Sequence, residues 1–348
     1  MKTQILFFLA VFLVSVLIVG CGSTSSSTEN TSNTTAAAQN EEGFEKVSIK
    51  LAHATPDSDI SHMHQASLKF KEIVEKKTGG QVTINIHPNS QLGGEREIIE
   101  GTQLGTIDMA FVSSGVLGNF APEVNAFDFP FLFRDREHVE RVFDGEIGAD
   151  VGAKLEEVNL KVLAWAENGF RNITNSKHPI KTPEDMEGLK IRTQENRVHI
   201  DAFKALGADA TPMAWPEVFT AMQQGVVDGQ ETPLSLIVPS NFFEVQNHLT
   251  ISHHLYSAFP FVINKDKFDS LSPELQKVFV EAAEETRDWE RQFMIELDEE
   301  LLQTAINEGM KVVPREEFDY EAFVEASQPV YEQYEAEFGV LLKRIQAE

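Results

Sequence analysis

The residues able to do acid–base, nucleophilic or metal chemistry in this chain do not stand at the spacings such chemistry needs. No serine occupies a G-x-S-x-G elbow, no H-E-x-x-H pair or glycine-rich phosphate loop occurs, and a single cysteine rules out a paired-thiol site. His62 and His64 are two apart on a predicted helix, which turns them to different faces. His253 and His254 are neighbours on a predicted strand, which points them oppositely. Neither pair makes a metal site, no catalytic residue is assigned, and no cofactor is expected. Binding is the chemistry left. The chain carries 55 acidic against 29 basic residues, a net charge of −26, which repels nucleic acid and anionic headgroups. An anionic ligand would then need strong local positive charge, because screening over about 8 Å removes distant contributions. Buried arginines are the residues to look for.

The elements that would position them read as two series. Val47, Ile49 and Leu51 alternate as a half-buried strand, and Met63, Ala66, Phe70, Ile73 and Val74 share one face of the helix that follows. Thr78-Gly79-Gly80 ends that helix. Val82, Ile84 and Ile86 alternate again, a helix carries Ile98 and Ile99, and Ile107 to Val112 reads as a strand. This β-α-β-α-β order predicts an open sheet flanked by helices, with ligand beyond the strand carboxyl ends. A second series begins near residue 160, where Val162, Leu163 and Trp165 read as a strand. Thr182-Pro183-Glu184-Asp185 reads as a helix start, Leu189 to Arg192 as a strand, and further helices close at Gly207 and Gly225. From Ser272 to Gly309 the pattern fits one long helix of about 55 Å or two with a bend.

At the other end, Lys2 and the apolar run Ile5 to Val19 read as an export signal. Ile18-Val19-Gly20-Cys21 resembles a bacterial lipobox, which implies cleavage before Cys21 and a lipid on its sulfur. Residues 1–20 are then a signal peptide, and 21–45 the lipidated cysteine and a Ser/Thr/Asn/Ala tether without apolar periodicity. About 300 residues remain, more than one typical core holds.

Residues 189–233, with LKIRTQEN and ATPMAWPEVFTAMQQGVVDGQETP, resemble the signature of the DctP-type receptors of tripartite ATP-independent periplasmic (TRAP) transporters. The likeness extends to LAHATP at 51–56, QLGGEREII at 91–99, FDFPFLFRD at 127–135 and GFRNITNSKHPI at 169–180, and so covers nearly all of the mature chain. It implies an α/β fold of two lobes, periplasmic-binding-protein-like, each a sheet flanked by helices, with a long helix bridging both. Lobe 1 is expected at 46–168 plus about 256–295, and lobe 2 at 169–255 plus about 296–348.

By the same resemblance Arg192 grips a ligand carboxylate, where a planar guanidinium fork suits the task; spacing alone would make it a surface residue. Arg171 matches a second arginine approaching the same ligand, with a structural salt bridge as its alternative. Trp215 matches an aromatic placed against the ligand body, with core packing as its alternative. His53, Glu95 and Arg96 match positions touching ligand hydroxyls, Ser113 and Glu195 are further candidates, and each could instead be a loop or cap residue. Thr232 departs from the family pattern, which commonly has asparagine there, and a shorter hydroxyl puts one hydrogen bond in doubt.

The implied function is an extracytoplasmic receptor that closes on a small carboxylate and delivers it to the small and large membrane subunits of the permease. Trp215, His53, Glu95 and Glu195 tilt the ligand toward a sugar acid such as D-glucuronate or another hexuronate. A C4-dicarboxylate would want two cationic ends. A sensor subunit and an extracellular sugar-acid enzyme are the other readings. Glu332 to Ile345 is amphipathic enough to pack on its own protein, and a monomer is expected.

Overall fold

The computed structural model describes residues 43–348, so the stretch read as an export signal and Cys21 lie outside the described residues. Eleven strands and eleven α-helices follow in chain order: β1 (Val47–Ala52), α1 (His62–Lys77), β2 (Val82–His87), α2 (Glu95–Gln103), β3 (Met109–Phe111), α3 (Ser114–Leu117), α4 (Arg136–Asp144), α5 (Glu146–Glu156), β4 (Leu160–Phe170), β5 (Asn172–Asn175), β6 (Lys190–Thr193), α6 (Arg197–Ala205), β7 (Asp209–Pro212), α7 (Val218–Gln223), β8 (Gly229–Thr232), α8 (Leu234–Ile237), β9 (His248–Thr250), β10 (Tyr256–Asn264), α9 (Lys265–Asp269), α10 (Pro273–Asn307), β11 (Lys311–Val313) and α11 (Tyr320–Ala347). They build two lobes, each around its own sheet.

The first sheet has the order β2-β1-β3-β10-β4. Its first three strands are parallel, and β10 runs antiparallel between β3 and β4. Alternating Ile49 and Leu51 face the cluster that holds Met63, Phe70 and Val74 of α1, as the period-2 and period-3.6 patterns require. The second sheet has the order β11-β9-β5-β8-β6-β7, with β6 parallel to β7 and β8, and β5 antiparallel to β8 and β9.

Among the described residues four stretches join the lobes: the β4–β5 step, the β9–β10 step, α10 and α11. Between β4 and β5 only Arg171 intervenes, and its N–H donates to the Leu255 carbonyl on the second crossing, between β9 and β10. The third is α10, a single helix of 35 residues, on the order of 50 Å at 1.5 Å per residue. The bent pair allowed by the sequence is therefore not formed. Ser272 caps it, accepting from Leu275 N–H, and Pro273 stands at its first turn. Its early residues Leu275 and Phe279 enter the first lobe's core, and Leu297 and Leu301 enter the second's.

Four expectations are corrected. The strand at 160–170 belongs to the first sheet and not to a second series, because its hydrogen bonds go to β10. Thr182 to Asp185 does form a capping box, yet only one 3-10 turn follows, Pro183–Met186. His253 and His254 are on no strand; His253 has a left-handed φ of 44° in the crossing segment, so strand alternation does not govern them. Helix α11 does not stay in lobe 2: Phe323 packs in the second lobe, but Val330, Phe338 and Ile345 join the first lobe's core. Its end is tied there by His138 to the Ile345 carbonyl at 2.7 Å and by Arg134 to the Gln346 carbonyl at 3.1 Å.

No helix among the described residues is long and apolar enough to cross a membrane.

Candidate ligand site between the lobes

The site is assembled from strand carboxyl ends. Ser113 follows β3, Arg192 lies near the end of β6, Trp215 follows β7 and Thr232 ends β8. In α/β sheets these ends leave main-chain groups and loop residues free for ligand. The two lobes meet here. On the outer side of Trp215, Ala54, Pro56 and Ser90 of lobe 1 and Phe219 and Phe242 of lobe 2 line a cavity of about 260 Å³ that does not include Arg192, Thr232 or Ser113.

Arg192 is buried, with 2% of its surface exposed. Its Nε and Nη2 donate to the Met213 carbonyl at 3.0 and 2.7 Å, and Trp215 lies 5.7 Å from the guanidinium carbon. These contacts fix the fork while Nη1 is buried without a protein partner. Burial pushes the group down to about 10, opposed by Glu231, Glu95 and Glu195, so it stays cationic at neutral pH.

Strand register supplies its neighbours. Arg192 stands beside Gln230, and Thr232 stands beside Asn172. Since side chains alternate along a strand, these four share one face and Glu231 takes the other. Thr232 Oγ1, Asn172 Oδ1 and Gln230 Oε1 are also buried without protein partners, as are both amide atoms of Asn168 near the first crossing. An unsatisfied buried polar atom costs about 1–3 kcal/mol. So many on one face, around one guanidinium, are the complement of a polar anionic ligand.

Arg171 is fully buried. Its Nε and Nη2 hold the Glu231 carboxylate, Nη2 also donates to the Glu231 carbonyl at 2.6 Å, and Nη1 donates to Ser257 Oγ at 3.0 Å. The salt-bridge alternative is thus realised, and four of the five guanidinium hydrogens are spent. Glu231 is further flanked by His254 at 3.4 Å and His199 at 3.5 Å, and His199 stands 3.3 Å from Asp128 of lobe 1. Although burial alone would raise it, Arg171, His199 and His254 hold the Glu231 carboxyl well below its usual range.

Glu95, half-buried at the first turn of α2, accepts from the Ser113 N–H at 2.6 Å. Burial raises its carboxyl, opposed by that hydrogen bond and by Arg192 and Arg171, which places it within electrostatic reach of both arginines. Glu195 acts on the same groups. Trp215 is half-buried, tilted against Phe242 at 5.4 Å, and packs on apolar clusters of both lobes. His53 is buried, bound to Thr55 at 3.0 Å and His64 at 3.2 Å, and kept neutral by burial with its proton affinity down to about 3. Arg96 stands apart: its side chain is 43% exposed, 3.9 Å from Glu100 and 6.0 Å from the Phe120 ring.

The structure thus groups Arg192, Thr232, Trp215, Glu95, Ser113 and Glu195, leaves Arg96 outside, and sets Arg171 in a buried ion pair. Sequence reasoning did not single out Asn172, Gln194 or Glu231, although each lies inside or beside a block that was recognised. Among the described residues no group of three or more histidine, cysteine or acidic side chains could hold a metal.

Two α/β lobes joined by four crossings, with a buried guanidinium and unpartnered polar atoms at the strand ends between them, define a solute-binding receptor. The chain belongs to the DctP family, described as bacterial extracellular solute-binding protein, family 7, which matches residues 51–337. It is similar to the 2,3-diketo-L-gulonate-binding periplasmic protein YiaO of Escherichia coli, 39% identical over 279 residues, 80% of this chain and 84% of that one. A TRAP periplasmic solute-binding protein from Polaromonas, solved with D-erythronate, is 43% identical with a TM-score of 0.84, over 86% of this chain and 98% of that one. Another from Pseudomonas putida, solved with D-glucuronate, is 32% identical with a TM-score of 0.82, over 86% and 97%. This chain is accordingly a TRAP solute-binding receptor, acts outside the cytoplasm, and is not an enzyme.

Proposed function

We propose that this receptor binds a hydroxylated monocarboxylate, a sugar acid, and hands it to the two membrane subunits of a TRAP permease. One observation carries the reading: Arg192 is the buried guanidinium with an unpartnered nitrogen at the site, while Arg171 is matched by Glu231. One ligand carboxylate meets Arg192 Nη1. On the same face the Thr232 hydroxyl donates to a carboxylate oxygen, Asn172 Oδ1 accepts from a ligand hydroxyl, and Arg171 retains one N–H for the same end.

The far end of the ligand faces Glu95, which accepts from hydroxyls and repels a second carboxylate. That favours a sugar acid over a C4-dicarboxylate. Relatives solved or named with D-erythronate, 2,3-diketo-L-gulonate and D-glucuronate support the class, and both open-chain acids and hexuronates remain within it. Ligand shifts the lobes toward the closed form by its differential affinity for the two forms. Upstream, residues 1–20 direct export and Cys21 carries the lipid that holds the receptor at the membrane surface.

The decisive experiment is a thermal-shift screen of aldonates, uronates and C4-dicarboxylates on the mature protein, followed by calorimetry on the hits. Sugar acids should raise the melting temperature. Hits confined to dicarboxylates would overturn the reading.

A further inference from the structure

Gln194 leaves β6 two residues beyond Arg192 and is itself buried. Its amide crosses between the lobes: Nε2 donates to Ser113 Oγ at 2.9 Å, and that hydroxyl reaches back to Oε1 at 3.3 Å. The main-chain N–H of the same serine donates to Glu95 at 2.6 Å. Two hydrogen-bonded steps therefore join the strand that carries Arg192 to the carboxylate on the opposite side of the site.

Gly115 makes the crossing possible. A Cβ there would stand 2.3 Å from Gln194 Oε1, and its φ is not in the left-handed region, so the glycine supplies space and not backbone freedom. The residues after Gln194 repeat the connection. Asn119 Nδ2 donates to the Glu195 carbonyl at 2.6 Å, and Asn196 Nδ2 donates to the Gly115 carbonyl at 2.8 Å and to Asp128 at 2.9 Å.

We propose that Gln194 is a positioning residue for specificity: on closure it seats Ser113, and through it Glu95, opposite Arg192, so that the site favours hydroxyls over a second carboxylate. The inference rests on the sugar-acid reading above. It concerns a residue that touches the site only through Ser113, so its signature is in rates and discrimination and not merely in stability.

The test compares wild type, Gln194→Ala, Gly115→Ala and the double variant, using D-erythronate and succinate as probes. Calorimetry gives the affinities, stopped-flow fluorescence the rates, and thermal melts of ligand-free protein the stability. Losing one or two buried hydrogen bonds should weaken D-erythronate about 5- to 30-fold. The loss should lie mainly in faster dissociation, and the preference for D-erythronate over succinate should shrink. Gly115→Ala should act alike, and the double variant should lose no more than the stronger single, since both break one contact. A Gln194→Ala protein with wild-type dissociation, or with both probes weakened equally, would overturn the proposal while leaving the sugar-acid reading in place. Wild-type protein that binds neither D-erythronate nor any other sugar acid would remove both.

Discussion

Arg171 and Glu231 form an ion pair sealed from solvent on both sides, with Nη2 2.9 Å from Oε1. Its effect is to cancel one of two neighbouring buried cations, which leaves Arg192 as the anion-seeking group. Removing the carboxylate should expose how much this neutralisation matters. Glu231→Gln leaves a buried guanidinium without its counter-charge, a loss of about 3–5 kcal/mol in comparable cases. Urea unfolding of the ligand-free variant should show a decrease of that order, and stability equal to wild type would refute the role given to the pair.

Arg192→Ala removes the grip on the ligand carboxylate. The expected cost is about 2–5 kcal/mol of binding, or roughly 30- to 5,000-fold in Kd. Calorimetry on folded variant protein measures it. Near-normal affinity would take Arg192 out of the site.

Glu95→Gln replaces a carboxylate by a neutral group of the same shape. Relief of like-charge repulsion should strengthen succinate by roughly 10-fold or more, since a like-charge pair at 4 Å costs about 4 kcal/mol at an effective dielectric near 20 before solvation is counted. D-Erythronate should weaken over the same range. Unchanged succinate binding would mean that Glu95 does not face the far end of the ligand.

Acid should loosen the fold through two buried histidines, His62 and His53. Burial holds His62 neutral, with its proton affinity lowered to about 3 from an ordinary 6.5. The unfolded chain therefore binds a proton that the folded chain refuses. Stability from this residue is complete above about pH 6.5 and falls as pH drops toward 3, by about 1.4 kcal/mol per unit. His53 behaves alike. Melting temperature measured from pH 7 to 5 should decline, and less steeply in His62→Gln. Identical slopes would show that His62 takes up its proton in the folded state.

The lipid anchor is tested on cells. Cys21→Ser should move the receptor from the membrane fraction to the soluble fraction and abolish labelling by a fatty-acid probe. A wild-type chain that never takes up label would rule the anchor out.

Much of the first lobe was legible because its elements obey one period at a time: Val47, Ile49 and Leu51 alternate, and Met63 to Val74 follow 3.6. The second sheet was harder. Strands such as Gly229–Thr232 and Asn172–Asn175 are four residues long and, apart from the core residue Ile173, carry polar side chains or none, which face the site and the ion-pair network. No hydrophobic period can mark such strands. Arg192 is singled out only by likeness to a family block, because an arginine two positions from Lys190 carries no sign of the burial it has in the fold. Pairing is still less visible: Arg171 and Glu231 are 60 positions apart, and nothing in either segment announces the other. The same holds for Ser113 and Gln194, which lie on different lobes and 81 positions apart.

Strand β10 lies between β3 and β4, and this order governs how the chain is made. Lobe 1 cannot complete its sheet until residue 264 has emerged, and its flank waits for the last turn of α11 at 345. A polypeptide threaded amino end first through a secretion channel would thus keep its largest core unassembled for most of the journey. Late closure of long-range strand pairs slows folding, so most of the chain has been delivered before its largest core can assemble.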